Sequence, residues 1–226
     1  MFTYDNPVIR FLNKVADLLI LNILFIICCL PIFTIGASIS ALYSVSLRSV
    51  RYGDGYVWKN FFGAFKENFK QSTIAWLIMF VVLVLLFLDI RFWQQIDMGS
   101  INSIMLGVSY VILFLWICFE TWLFPVIAKM KDGLSMQFKN AAKMTIGYLI
   151  PYTLVCALIK FVLLYISYVN LPMLMVMFMI GFSTEAYICS FFIYKVFSKH
   201  IEEESLGYDD LLYKYEKEEE ESKEEN

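Results

Sequence analysis

The sequence predicts an all-α membrane protein: a polytopic bundle of five or six transmembrane helices with a broken first segment and a cytoplasmic interfacial amphipathic helix. Three observations predict it. Five long apolar blocks fill most of the 226 residues, at about 18–47, 74–90, 104–127, 146–166 and 171–196. A hydrocarbon core about 30 Å thick asks for roughly 20 apolar residues per helical crossing. Composition agrees, with 60% hydrophobic and 17% charged residues, against roughly 45–50% and 25% in soluble domains. Finally, ten of the fifteen Lys and Arg outside the C-terminal tail lie between the blocks. Residues 1–200 are the predicted membrane domain and 201–226 a separate acidic tail.

The net charge of −3 conceals a division. The tail holds twelve acidic residues and three lysines, a net of −9, which leaves +6 on the membrane body. Like-charge runs such as Glu202-Glu203-Glu204 disfavour compact structure, so the tail reads as a solvated, disordered or partly helical extension.

The first block, 18–47, is too long for one upright helix and short for two. Pro31 removes a backbone donor, and Thr34-Ile35-Gly36 offers a flexible break. Either one kinked crossing results, or a tight hairpin of 15–30 and 34–50, the reading we favour. Gly36, Ala37, Ser38, Ser40, Ala41, Ser44 and Ser46 allow close helix contact in lipid, so the second arm is expected to face protein. Arg10, Lys14 and the small residues at 37–41 resemble a cleavable signal. Four more apolar blocks follow, and we read the segment as structural.

Orientation follows from the basic residues. Arg48, Arg51, Lys59, Lys66 and Lys70 fall between the first two blocks, and Lys129, Lys131, Lys139 and Lys143 between the third and fourth. The other two connections have Arg91 and no basic residue, respectively. Lys and Arg concentrate in cytoplasmic loops, which places the C-terminus in the cytoplasm; the membrane expected is the plasma (inner) membrane. Within 57–71, Trp58, Phe61, Phe62, Phe65 and Phe69 recur at helical spacing opposite lysines. That pattern predicts a helix lying in the interface as an anchor, or a docking face for a partner. Phe65-Lys66 and Lys70 are echoed by Phe138-Lys139 and Lys143, a faint sign of an internal repeat.

Ionisable residues inside apolar blocks are the usual place to seek function. Counting 1.5 Å per residue from the flanking lysines puts Glu120 and Glu185 at one level near the midplane, and sets Lys160 with Asp89 nearer the outer face. The two glutamates either line a polar path or bond across helices as structural groups. Asn22 reads as a helix–helix hydrogen-bond residue. Alternating Met173, Met175, Met177 and Met179 read as packing. All five cysteines lie inside apolar blocks, and with His200 as the only histidine no metal site is expected. No phosphate loop, nucleophile elbow or HExxH pattern occurs. The expectation is a non-enzyme without cofactor or nucleic-acid partner, whose first partner is the lipid bilayer.

Asn13-Lys14, Asp17-Leu18, Leu21-Asn22, Cys29-Leu30-Pro31, Thr34-Ile35-Gly36-Ala37, Ala41-Leu42-Tyr43 and the Phe61-Phe62…Phe65-Lys66…Asn68-Phe69-Lys70-Gln71 segment resemble the YesL family of bacterial membrane proteins, whose domain is of unknown function. The resemblance covers about residues 8–80. It implies a role near carbohydrate import, because family members are often encoded beside ABC-type sugar permease subunits. It supplies no active residues. Three functions remain as expectations: a non-catalytic accessory or regulatory partner of such a permease, a small transporter or channel lined by Glu120 and Glu185, and an intramembrane enzyme.

Overall fold

A computed structural model describes residues 7–52, 56–95 and 99–200; the acidic tail lies outside the described residues. Helix α1, Pro7–Cys29, ends where Pro31 withholds an N–H. A single 3₁₀ turn, Ile32–Thr34, then leads directly into α2, Ile35–Tyr52. The Thr34 hydroxyl lies 2.6 Å from the carbonyls of both Cys28 and Pro31; the Pro31 carbonyl already accepts from the Thr34 N–H, so the hydroxyl proton can serve the Cys28 carbonyl left open at the helix end. Lys14, early in α1, reaches the Ser49 side chain and carbonyl near the end of α2. That contact makes the pair antiparallel, so the first block is a hairpin and not a kinked rod.

Helix α2 is the centre of the bundle. It packs against α1, α3, α4 and α8, and every residue from Gly36 to Arg48 except Ile39 is buried. Its small side chains make this density attainable. A Cβ on Gly36 would sit 2.3 Å from the Ser72 carbonyl oxygen and 2.5 Å from Trp76 Cβ. Gly36 is therefore not the flexible break read from the sequence; it lies in the first turn of α2 and lets the α3 backbone touch it. The serines bond locally or across, Ser38 to the Thr34 carbonyl and Ser72 to Ser40 Oγ at 2.8 Å.

Helix α3, Val57–Gln95, has 39 residues, about 58 Å of helix where a bilayer core needs about 30 Å. The expected interfacial helix at 57–71 is instead the first four turns of this rod. Phe61 is completely buried, Phe62, Phe65 and Phe69 are half-buried, and only Trp58 is largely exposed. The aromatic stripe turns inward because α2 packs along α3 and Phe61 joins the core, with Phe62 and Phe65 against it. Gln137 Nε2 donates to Gln71 Oε1 at 2.7 Å and to the Met130 carbonyl at 3.0 Å, and Lys131 pairs with Glu67 at 2.9 Å.

Helix α4, Ser100–Lys129, runs back along α3, with Trp116 Nε1 donating to the Met79 carbonyl at 3.2 Å. Helix α5, Leu134–Gly147, is amphipathic, burying Gln137, Ala141 and Thr145 and exposing Lys139 and Lys143. A π-helical turn, Leu149–Thr153, separates it from α6, Leu154–Val169. Pro151 lacks the donor for an ordinary i→i−4 bond, and the Thr153 N–H bonds the Tyr148 carbonyl five residues back at 3.1 Å. Trp122, 1% exposed, seals this turn by donating to Thr153 Oγ1 at 2.6 Å. The last crossing comprises α7, Leu171–Val176, a second π turn, Met177–Gly181, and α8, Phe182–His200.

Large apolar side chains cover the outside. Leu85 and Leu88 of α3, Ile104 and Val111 of α4, and Leu158 and Phe161 of α6 are each more than half exposed. Such a surface belongs in lipid. Among the described residues four helical stretches are long and apolar enough to cross, Phe11–Cys29, Val57–Gln95, Ile101–Lys129 and Leu171–Lys199, with Leu154–Val169 as a shorter apolar helix. The chain is a multi-pass membrane protein.

Candidate functional site

Four helices bring ionisable side chains together inside this apolar shell. Lys160 of α6 donates to Glu120 Oε2 of α4 at 2.8 Å, their side chains 14% and 15% exposed. The ammonium stands 5.9 Å from the ring centre of Tyr43, which α2 holds 2% exposed. From α8, Glu185 lies within electrostatic range of Lys160, Glu120 and Tyr43. Its carboxylate accepts from the Cys189 thiol, one turn along the same helix, at 3.9 Å.

The arrangement corrects the depth estimate in one respect. Lys160 pairs with Glu120, not with Asp89. Counting upward from Lys143 assumed one straight helix, but α5 ends at Gly147 and the π turn intervenes. Lys160 is six residues into α6, about 9 Å from its start. Asp89 is elsewhere, between α3 and α4, where Ser109 Oγ and Trp93 Nε1, the latter at 3.1 Å, donate to its two oxygens.

Asn22 is fully buried against the second π turn. Its Nδ2 donates to the Phe178 carbonyl at 2.7 Å, and its Oδ1 accepts from the Ser183 N–H at 3.0 Å. Ser183 Oγ returns a bond to the Leu18 carbonyl at 2.7 Å. An i→i+5 turn leaves backbone groups without helical partners, and one carboxamide with a donor and an acceptor serves both sides of it. Asn22 thus locks α1 to the last crossing and stands apart from the charged cluster.

Sequence reasoning missed Tyr43, Cys156 and Cys189 as neighbours of the charges. The spacing of Glu185 and Cys189, four apart on one helix face, was the available signal. Nothing in the sequence tied Tyr43 to them. Chemically, the cluster can hold or relay a proton or stabilise the bundle. Among the described residues no group of three or more His, Cys, Asp and Glu side chains is arranged to hold a metal ion.

Known proteins bear on identity. The family model described as "Protein of unknown function, DUF624" matches residues 18–90, which run from α1 through the hairpin and most of α3. The chain is also similar to "Uncharacterized protein YesL" of Bacillus subtilis (strain 168), 26% identical over 138 residues. That alignment takes in 59% of this chain and 64% of the relative, so the chain spans less than two thirds of its length. No solved structure matches. The Leu-Pro turn, the Thr34 contacts and the Gly36 contact all fall inside the matched segment, so the likeness to the DUF624 family and to YesL lies in the helical hairpin and its packing on α3.

Proposed function

We propose that the protein is a non-catalytic accessory or regulatory partner of an ABC-type carbohydrate uptake system in the plasma membrane, with six crossings and both termini in the cytoplasm. The observation that supports it best is the closure of the Glu120–Lys160 pair. At 2.8 Å the Glu120 and Lys160 charges neutralise each other, which suits a structural element better than a path for a polar solute. The exposed lysines of α3 and α5, Lys66, Lys70, Lys139 and Lys143, provide a basic cytoplasmic face for a partner. The carbohydrate assignment rests on family resemblance alone.

Affinity purification of the tagged full chain from native membranes tests the reading. ABC permease subunits are expected to co-purify from wild type and from Glu120→Gln, and to be lost when Lys139 and Lys143 are changed to Glu. Recovery of the chain free of permease subunits overturns it. A transporter lined by Glu120 and Glu185 is the second reading, favoured by the weakly partnered Glu185 carboxylate beside the pair. Solute flux in proteoliposomes that disappears in Glu185→Gln would establish it.

A further inference from the structure

Positive charge gathers where α3 and α5 meet. Lys66 and Lys70 lie four apart on α3, Lys139 and Lys143 four apart on α5, and all four are exposed. Gln137 bonds Gln71 at 2.7 Å, and Gln71 Nε2 donates to the Asp132 carbonyl at 3.3 Å, so the two lysine pairs flank one junction. Like charges at this spacing disfavour a helix unless an anion joins them. The carboxylates at the junction are already engaged, Glu67 with Lys131 at 2.9 Å and Asp132 with Asn140 at 3.1 Å. Among the described residues no carboxylate pairs with Lys66, Lys70, Lys139 or Lys143. Helix α8 ends beside this surface. Phe192 meets Tyr152 at 6.3 Å, and Phe197 and Tyr148 both meet Trp122 at 6.2 Å, which sets the last turns of α8 by the end of α5. The chain then continues into 201–226, with its net charge of −9 and four consecutive carboxylates at Glu218–Glu221.

We propose that Glu218–Glu221 docks on the lysines of α3 and α5, so that the acidic tail of the chain occupies its own basic face. The reach suffices. Glu218 is eighteen residues beyond His200, and even a random coil of that length spans about 23 Å on average. Helix α5, with 14 residues, is about 21 Å long. Each exposed ion pair is weak in water and is screened by salt. Four lysines act together, however, and the tether holds the acidic run at an effective concentration of about a millimolar. A separate anionic partner must displace the tail to reach these lysines, so the tail controls access to the face. The docking needs only the two helices and the tail, and it holds whichever partner the face receives.

Carbodiimide coupling of the full chain in phosphatidylcholine nanodiscs tests this, with linked peptides identified by mass spectrometry from mixed isotopically heavy and light chains. Links from 218–221 to Lys66, Lys70, Lys139 or Lys143 are expected within single chains. They should fall several-fold in about 0.5 M NaCl, where screening shortens the range of charge to a few ångströms. Changing Glu218 through Glu221 to Gln leaves the bundle untouched and should raise acetylation of those lysines several-fold. Lys139→Glu with Lys143→Glu should abolish the links to α5. Converting 218–221 to Lys in that background should restore them, with carboxylate and amine exchanged. Links found only between heavy and light chains would assign the face to a second copy. Acetylation that ignores the tail but falls on adding phosphatidylglycerol would assign it to anionic lipid. Either result, or the absence of any link, overturns the proposal.

Discussion

Gly36 shows how much one missing methyl group decides. The nearest atom to its absent Cβ is a backbone oxygen, Ser72 O, held in α3 and unable to swing away like a side-chain tip. Gly36→Ala must separate α2 from α3 or strain both, and overpacking of this kind costs about 1–3 kcal/mol. A lowered unfolding midpoint in detergent, with the far-UV helix signal retained, is the expected outcome; Gly63→Ala, which meets nothing within 4 Å, should leave the midpoint unchanged. The run of small residues across 36–46 is enough to mark this helix as protein-facing. The identity of the residue touching Gly36 was not legible, because spacing along one helix says nothing about the register of its neighbour.

At the scale of elements, the two π turns organise the bundle. Each is held by a side chain from another helix: Trp122 donates to the Thr153 hydroxyl in the first, and Asn22 bonds the Phe178 carbonyl and the Ser183 N–H at the second. Asn22→Ala strands a carbonyl and an N–H in the interior, which costs about 1–2 kcal/mol judged from buried unsatisfied groups and from hydrogen bonds in membrane bundles. The expected result is a lower midpoint with greater hydrogen exchange confined to 177–183, measured by mass spectrometry. Uniform exchange across the chain would show that the carboxamide is not specific to that turn. Sequence analysis marked Asn22 as a helix–helix residue, yet Met177–Gly181 reads as an unbroken apolar helix and gave no warning of the π geometry. Pro151 did signal a disturbance in the fourth block. Overlooking it displaced Lys160 in the depth estimate and produced the mistaken partner Asp89.

The whole molecule combines a long antiparallel α3–α4 pair with a buried α2 and a basic end where α3, α5 and the 130–133 connection meet. Its ion pair between Lys131 and Glu67 is exposed, 53% and 37%, and such pairs contribute about 0–1 kcal/mol. The topology carries the more informative prediction. Reporter fusions after Tyr52, after Gly133 and at the C-terminus are expected to report cytoplasm, and fusions after Gln95 and Asn170 the opposite side. An outside signal after Tyr52 would mean that α1 and α2 do not return the chain to the side where it began.

Composition and block length, by themselves, determined that lipid is the solvent for this chain, which segments are apolar and which end is basic. Those properties follow from transfer free energies, which add up residue by residue along the chain. The tertiary structure alone decided that Gly36 meets Ser72, that Phe61 turns inward, and that Lys160 meets Glu120. Each of these depends on the rotation and register of one helix against another. Inside a bilayer that register is set by close contacts and a few hydrogen bonds, because apolar faces are nearly equivalent to one another there.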